Sequence, residues 1–165
     1  MTMKRIGAFY RDPLRVRDIA MAGLEILLQE PRTDPQRLAA IGYCFGGTMA
    51  LELARGGADL AVAVGFHSGL QTQRPAVAGE VKAKVLVCIG ADDPIVPPEQ
   101  RLAFEQEMRA AEVDWRMNLY GGAEHSFTNP NAGQSGMPGL AYDQATDERS
   151  WRAMLDFFDE RLGPV

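Results

Sequence analysis

At 165 residues the chain suits a single domain whose folding buries roughly 70% of the unfolded surface, enough for a real core. Its composition, 46% hydrophobic and 24% charged with a formal net charge of −5, is that of a globular protein, and the lack of a basic stripe excludes nucleic acid as a partner. Two distant cysteines, Cys44 and Cys88, fit neither a disulfide framework nor metal spacing. No apolar run reaches the ~18 residues of a membrane span and residues 1–5 lack the apolar stretch of a signal peptide, so the chain reads as cytoplasmic.

The first predicted element is a helix over residues 13–29. Asp12 can cap it, Pro13 suits its first position and Glu30-Pro31 stops it. Ile19, Ala22, Ile26 and Leu27 recur at helical spacing and predict its buried face. An apolar run over 39–43 predicts a strand, and a helix over 46–55 follows, with Met49, Ala50, Leu53 and Ala54 on one face and Gly56-Gly57 as its stop. Runs over 60–66 and 84–89 predict two further strands. Neither alternates with polar residues, as expected of parallel strands covered by helices on both faces. The next helix, over 98–111, carries Phe104, Met108 and Ala111. The fourth strand, over 114–120, is more mixed and is expected near a sheet edge. Residues 129–140, rich in Gly, Pro and Asn, read as a mobile surface loop. A last helix spans 143–162, where Trp151, Leu155, Phe158 and Leu162 form a stripe that predicts its buried face. Strands alternating with helices predict an α/β fold with a mainly parallel sheet flanked by helices.

Three segments carry chemistry, each directly after a predicted strand. In Gly42-Tyr43-Cys44-Phe45-Gly46-Gly47 a strand runs into a helix through a turn of the nucleophile-elbow type, with Cys where serine is usual. Such a turn crowds the residues two positions either side of the nucleophile, which asks for Gly42 and Gly46. It sets Cys44 at a helix N-terminus, where thiolate is favoured. It also aims the N–H of Phe45 at the same point, a candidate oxyanion donor. Gly90-Ala91-Asp92-Asp93-Pro94-Ile95-Val96-Pro97 follows the third strand and offers an acid on the same sheet edge. Asp93 is preferred over Asp92 because it fits the Gly-x-x-Asp-x-x-Val-Pro pattern of hydrolases. His125, after the fourth strand, completes the order nucleophile, acid, histidine. His67, at the end of the second strand, is a candidate for lining the pocket. Cys88, inside an apolar strand, reads as core.

With these motifs the chain resembles the dienelactone hydrolase family of the α/β-hydrolases from about residue 34 to residue 158. The resemblance implies the C-terminal part of an α/β-hydrolase fold, a single but N-terminally incomplete domain over 1–165. It implies Cys44 as nucleophile, His125 as base and Asp93 as its orienting acid. The implied activity is hydrolysis of a small ester or lactone through a thioester acyl-enzyme, with no cofactor and no metal. Family members bind a substrate carboxylate with arginines, one of them four positions after the histidine. Asn129 stands there in this chain and, with His67, is the candidate substrate contact. Family members also carry earlier strands that residues 1–12 do not match. Strand 39–43 is therefore expected to be an open edge through which the chain forms a homodimer or larger homo-oligomer. The alternative expectation is a non-catalytic member, or a subunit whose site a partner chain completes.

Overall fold

A computed structural model describes residues 7–9 and 11–163, apart from the side chain of Ser135. The signal-peptide reading of residues 1–5 falls outside the described residues. In chain order the elements are α1 (Pro13–Leu28), β1 (Ala39–Tyr43), α2 (Phe45–Arg55), β2 (Val62–Phe66), β3 (Lys84–Gly90), α3 (Pro98–Ala110), β4 (Trp115–Tyr120), a 3-10 turn (Ala132–Ser135) and α4 (Gln144–Leu162). The strands form one parallel sheet in the order β1-β2-β3-β4. Parallel pairing sends every strand's C-terminus to one edge of the molecule, so the loops holding Cys44, His67, Asp93 and His125 converge there.

β2 and β3 are buried on both faces, which is why they lack polar residues. Val62, Val64, Phe66, Leu86 and Cys88 pack on α4 through Met154 and Phe157. On the opposite face Ala63 packs with Leu53 and Ala54 of α2 and Leu24 of α1. Val85, Val87 and Ile89 meet Phe104 and Met108 of α3 there as well. β4 is half-buried, as its mixed sequence suggests, and it closes one side of the sheet. β1 closes the other, with Ile41 and Tyr43 exposed, in line with the expected open edge.

Two helix faces differ from expectation. α1 buries Pro13, Val16 and Leu24, while Ile19, Ile26 and Leu27 are exposed, Ile26 by 70%. α4 buries Thr146, Ser150, Met154 and Phe157, and Trp151 and Leu155 stay 44% and 43% exposed. The buried stripe of α4 is thus rotated by one residue, about 100°, from the one that its bulkiest side chains mark. Small Thr146 and Ser150 let the helix approach, and the Ser150 hydroxyl bonds the Asp147 carbonyl, so its burial leaves no polar group unmet.

A buried ion network pins the crossing after β2. The Arg55 guanidinium donates to Glu52 at 2.9 Å, to both Glu107 oxygens at 2.8 Å and to the Leu70 carbonyl at 2.7 Å. Glu107 also accepts the Ala76 N–H, and Arg17 bonds the second Glu52 oxygen. Residues 129–140 are less free than their composition suggests. His125 N–H donates to the Gly139 carbonyl, Ala141 N–H donates back to the His125 carbonyl, and Ala132 is buried.

Candidate active site

The turn at Cys44 is strained in the way an elbow requires. Cys44 has φ 53° and ψ −125°, a region that L-residues seldom occupy, and α2 starts at the next residue. Its N–H donates to the Phe66 carbonyl, and its carbonyl accepts the first helical N–H groups from Gly47 and Thr48. The glycine requirement is only half as the sequence suggests. A Cβ on Gly42 would overlap the Gly46 carbonyl, so that glycine is needed. A Cβ on Gly46 would meet open space. Gly47 is the second constrained position, because its Cβ would overlap the Ser68 hydroxyl, which belongs to the loop after β2.

Three of the candidate residues meet in a line. His125 Nε2 lies 3.2 Å from Cys44 Sγ, and His125 Nδ1 lies 2.8 Å from Asp93 Oδ2. Asp93 Oδ1 accepts the Ile95 N–H at 2.8 Å, which fixes the carboxylate plane. Asp92 is exposed, so Asp93 is the acid that reaches the imidazole. Asp93 and His125 are only 3% and 2% exposed. In that dry setting their bond is stronger than it would be in water. Burial alone would lower the His125 pKa, but the hydrogen bonds to Asp93 and Cys44 outweigh it and raise the pKa to about 9. The bond from His125 in turn lowers the Cys44 thiol pKa against burial, and the His125 charge and the Phe45 N–H act in the same direction. A thiol, an imidazole and a carboxylate in this order can exchange a proton between sulfur and ring while the carboxylate holds the ring's other nitrogen. Cys88, by contrast, is buried, and its thiol is pushed up to about 12. No cluster of His, Cys, Asp or Glu among the described residues suits a metal ion. No helix among them is long and apolar enough to cross a membrane.

The other two candidates are placed differently. His67, with φ 38°, is 2% exposed and lies behind His125, its ring centroid 5.0 Å away. Its Nε2 is 2.9 Å from Thr128 Oγ1. Asn129 is exposed, and its side-chain oxygen accepts the Asn131 N–H at 3.0 Å. Sequence reasoning missed Thr128, Ser68 and the contact of Gly139 with Pro94. Only their positions beside His125, Gly47 and Asp93 in space mark them, and no local pattern carries that.

A family model described as the dienelactone hydrolase family matches residues 3–162. The chain belongs to the dienelactone hydrolase family. Among solved structures, this dienelactone hydrolase family member is similar to the dienelactone hydrolase-like promiscuous phosphotriesterase P91 from metagenomic libraries. The two are 46% identical with a TM-score of 0.88, and the match covers 96% of this chain and 66% of P91. A Yersinia pestis protein provisionally named as a carboxymethylenebutenolidase is 30% identical over 135 residues, 77% of this chain and 48% of that protein. The Caenorhabditis elegans protein K02A2.1 is 34% identical over 142 residues, 84% of this chain and 89% of that protein. The chain thus spans about half of the Yersinia relative and about two thirds of P91, but matches nearly the whole nematode protein.

Proposed function

We propose that this chain hydrolyses small esters or lactones with Cys44 as nucleophile, His125 as general base and acid, and Asp93 as the group that orients His125. The observation carrying this reading is the unbroken line from Cys44 Sγ through His125 to Asp93, at 3.2 Å and 2.8 Å, built on the strained turn at Cys44. The Cys44 thiolate attacks the carbonyl carbon, and the charge that develops on oxygen is met by the Phe45 N–H. The intermediate collapses by breaking the carbon–oxygen bond, and His125 Nε2–H protonates the leaving oxygen. A thioester remains. His125 then takes a proton from water, the water oxygen attacks the thioester, and Cys44 leaves as thiolate with His125 again protonated. Asn129, exposed beyond His125, is assigned to the substrate rim. His67 is sealed from solvent and bears on the substrate only through His125.

Two further assignments accompany this reading. The likeness to P91 supports phosphotriesters as a second substrate class, in which Cys44 attacks phosphorus, a phosphorus–oxygen bond breaks and the alkoxide or aryloxide leaves with a proton from His125. The unpaired edge of β1, with Ile41 and Tyr43 exposed on it, supports association with a second copy of the chain, as do the exposed Ile19 and Ile26 of α1. Both cysteines are unpaired, which suits a reducing compartment such as the cytoplasm.

The test is intact mass after mixing with p-nitrophenyl acetate, with Cys44→Ala alongside. An acetyl adduct that forms on the parent, decays with time and is absent from Cys44→Ala supports hydrolysis. A permanent adduct means that acylation works without deacylation, the behaviour of a subunit whose site needs a partner. No adduct on folded protein refutes a competent nucleophile and favours a non-catalytic member. Light scattering after gel filtration tests the association, and a monodisperse monomer refutes it.

A further inference from the structure

His67 has no part in the steps above, yet its surroundings are those of a working group. It follows β2 directly, and its N–H donates to the Cys88 carbonyl at 2.8 Å, so its backbone is fixed. Of the four non-glycine residues at positive φ among the described residues, three belong to this site: Cys44, His67 and Ser126, the residue after His125. Backbone held in such regions gathers where a side chain must be aimed. The His67 ring stands edge-to-face to His125, with centroids 5.0 Å apart and planes at 68°, and edge-to-face to Phe127 at 5.1 Å. Its Nε2 meets Thr128 Oγ1, whereas Nδ1 is buried with no hydrogen-bond partner. Thr128 fixes the ring through Nε2, its hydroxyl serving as either donor or acceptor.

We propose that His67 is a positioning residue for His125: a neutral imidazole, locked by Thr128, that holds the His125 ring in line between Cys44 and Asp93 and favours its protonated form. The edge-to-face pairing acts in this way when His67 turns its π face to the His125 edge, since the face of a neutral ring attracts positive charge. A charged His67 would do the reverse. Burial, reinforced by the His125 charge, lowers its pKa to about 4, so it stays neutral where His125 is charged. The titratable groups around it are Tyr43 and Cys44 at the end of β1, Cys88 on β3, Asp93 beyond β3, and His125. Asp147 on α4 acts on Tyr43. Asp93 opposes the shift, and so does a hydrogen bond to the backbone of His67 itself.

The inference rests on the Cys44–His125 pairing, and its test reads that pairing without any ester. The rate at which iodoacetamide alkylates Cys44 is followed against pH in the parent, in His67→Gln and in His67→Phe, with melting curves to establish folding. The parent should show thiolate well below the ordinary thiol range. In His67→Gln, which keeps a donor for Thr128 but has no ring, the midpoint should rise by half a pH unit or more. The alkylation rate below the midpoint then falls at least threefold. In His67→Phe, which keeps the π face but loses the Thr128 bond, the midpoint should move less than in His67→Gln and no further than in Thr128→Val. Thr128→Val, which removes the lock, should move it in the same direction as His67→Gln. Unshifted midpoints in folded His67→Gln and Thr128→Val, whatever their melting temperatures, would show a packing role only and overturn the proposal. A parent whose Cys44 titrates as an ordinary thiol would overturn the Cys44–His125 pairing, and this inference with it.

Discussion

Replacing Asp93 by Asn keeps the shape of the site and removes one charge. In the parent, Asp93 Oδ2 holds His125 Nδ1 at 2.8 Å with both groups out of water. His125 rises from 6.5 to about 9 against its own burial, a preference for imidazolium of roughly 3 kcal/mol at 1.36 kcal/mol per pH unit. Asp93 and Cys44 share that effect. Removing the carboxylate charge therefore shrinks the population of the ion pair. The amide can also present its NH2 to Nδ1, which forces the proton onto Nε2 and leaves no base facing sulfur. In serine hydrolases that tautomer change costs about 10⁴ in kcat. A thiol, already partly ionised, depends less on the base, so the expected loss in kcat/KM for p-nitrophenyl acetate at pH 7 is about 10²–10³. The Cys44 thiolate absorbance near 240 nm should shift to higher pH in parallel. Asp92→Asn serves as control and should stay within threefold of the parent, since Asp92 is exposed. Activity within threefold in folded Asp93→Asn, or a larger loss in Asp92→Asn, would refute the assigned acid.

Other perturbations test the frame around the site. Gly42→Ala and Gly47→Ala should destabilise the fold by about 1–3 kcal/mol, read from urea midpoints, and Gly46→Ala by less than about 0.5 kcal/mol, because only Gly46 faces open space. The Gly47→Ala cost should shrink in a Ser68→Gly background; equal costs in both backgrounds would refute the Ser68 contact as the cause. Arg55→Met leaves the Glu52 and Glu107 carboxylates buried without their cation, and should cost about 3–5 kcal/mol in urea unfolding. His67 predicts an acid-side effect. Its folded pKa, about 4, lies below the unfolded 6.5, so its contribution is complete above pH 6.5 and is lost as pH falls towards 4, roughly 3 kcal/mol in all. Chemical denaturation across that window should show a steeper fall for the parent than for His67→Phe; equal slopes would refute a neutral buried imidazole.

What could be read ahead of the structure was whatever is written locally. β2 and β3 are continuous apolar runs, and nothing but a doubly covered strand explains them. Cys44, Asp93 and His125 each follow a strand, and parallel pairing alone brings strand ends together, so their meeting was foreseeable before any distance was known. The helix faces were not. Which side of α4 lies on the sheet depends on how closely Thr146 and Ser150 let it approach, and bulk misdirects that reading towards Trp151 and Leu155. The choice between Gly46 and Gly47 depends on Ser68, a neighbour 21 residues further along the chain from Gly47, and sequence spacing carries no trace of it. His67 is legible as a histidine at a strand end. Its burial, and the Thr128 hydroxyl that locks it, arise from the loop after β4 folding back over β2.

The pair of backbone hydrogen bonds between His125 and the segment that returns at Gly139 and Ala141 separates two tasks along one stretch of chain. That segment also abuts Pro94, next to Asp93, so the spacing of histidine and acid is gauged by a short clasp at its far end. Between the clasp's two ends, exposed positions such as Asn129 and Met137 can change without touching the hydrogen bonds that hold His125, whereas buried Ala132 is part of the support. In this chain the exposed part of the rim can therefore be altered while His125 and Asp93 keep their hold. Substitutions at its exposed positions should therefore alter which substrates are accepted more than the rate of the chemical step.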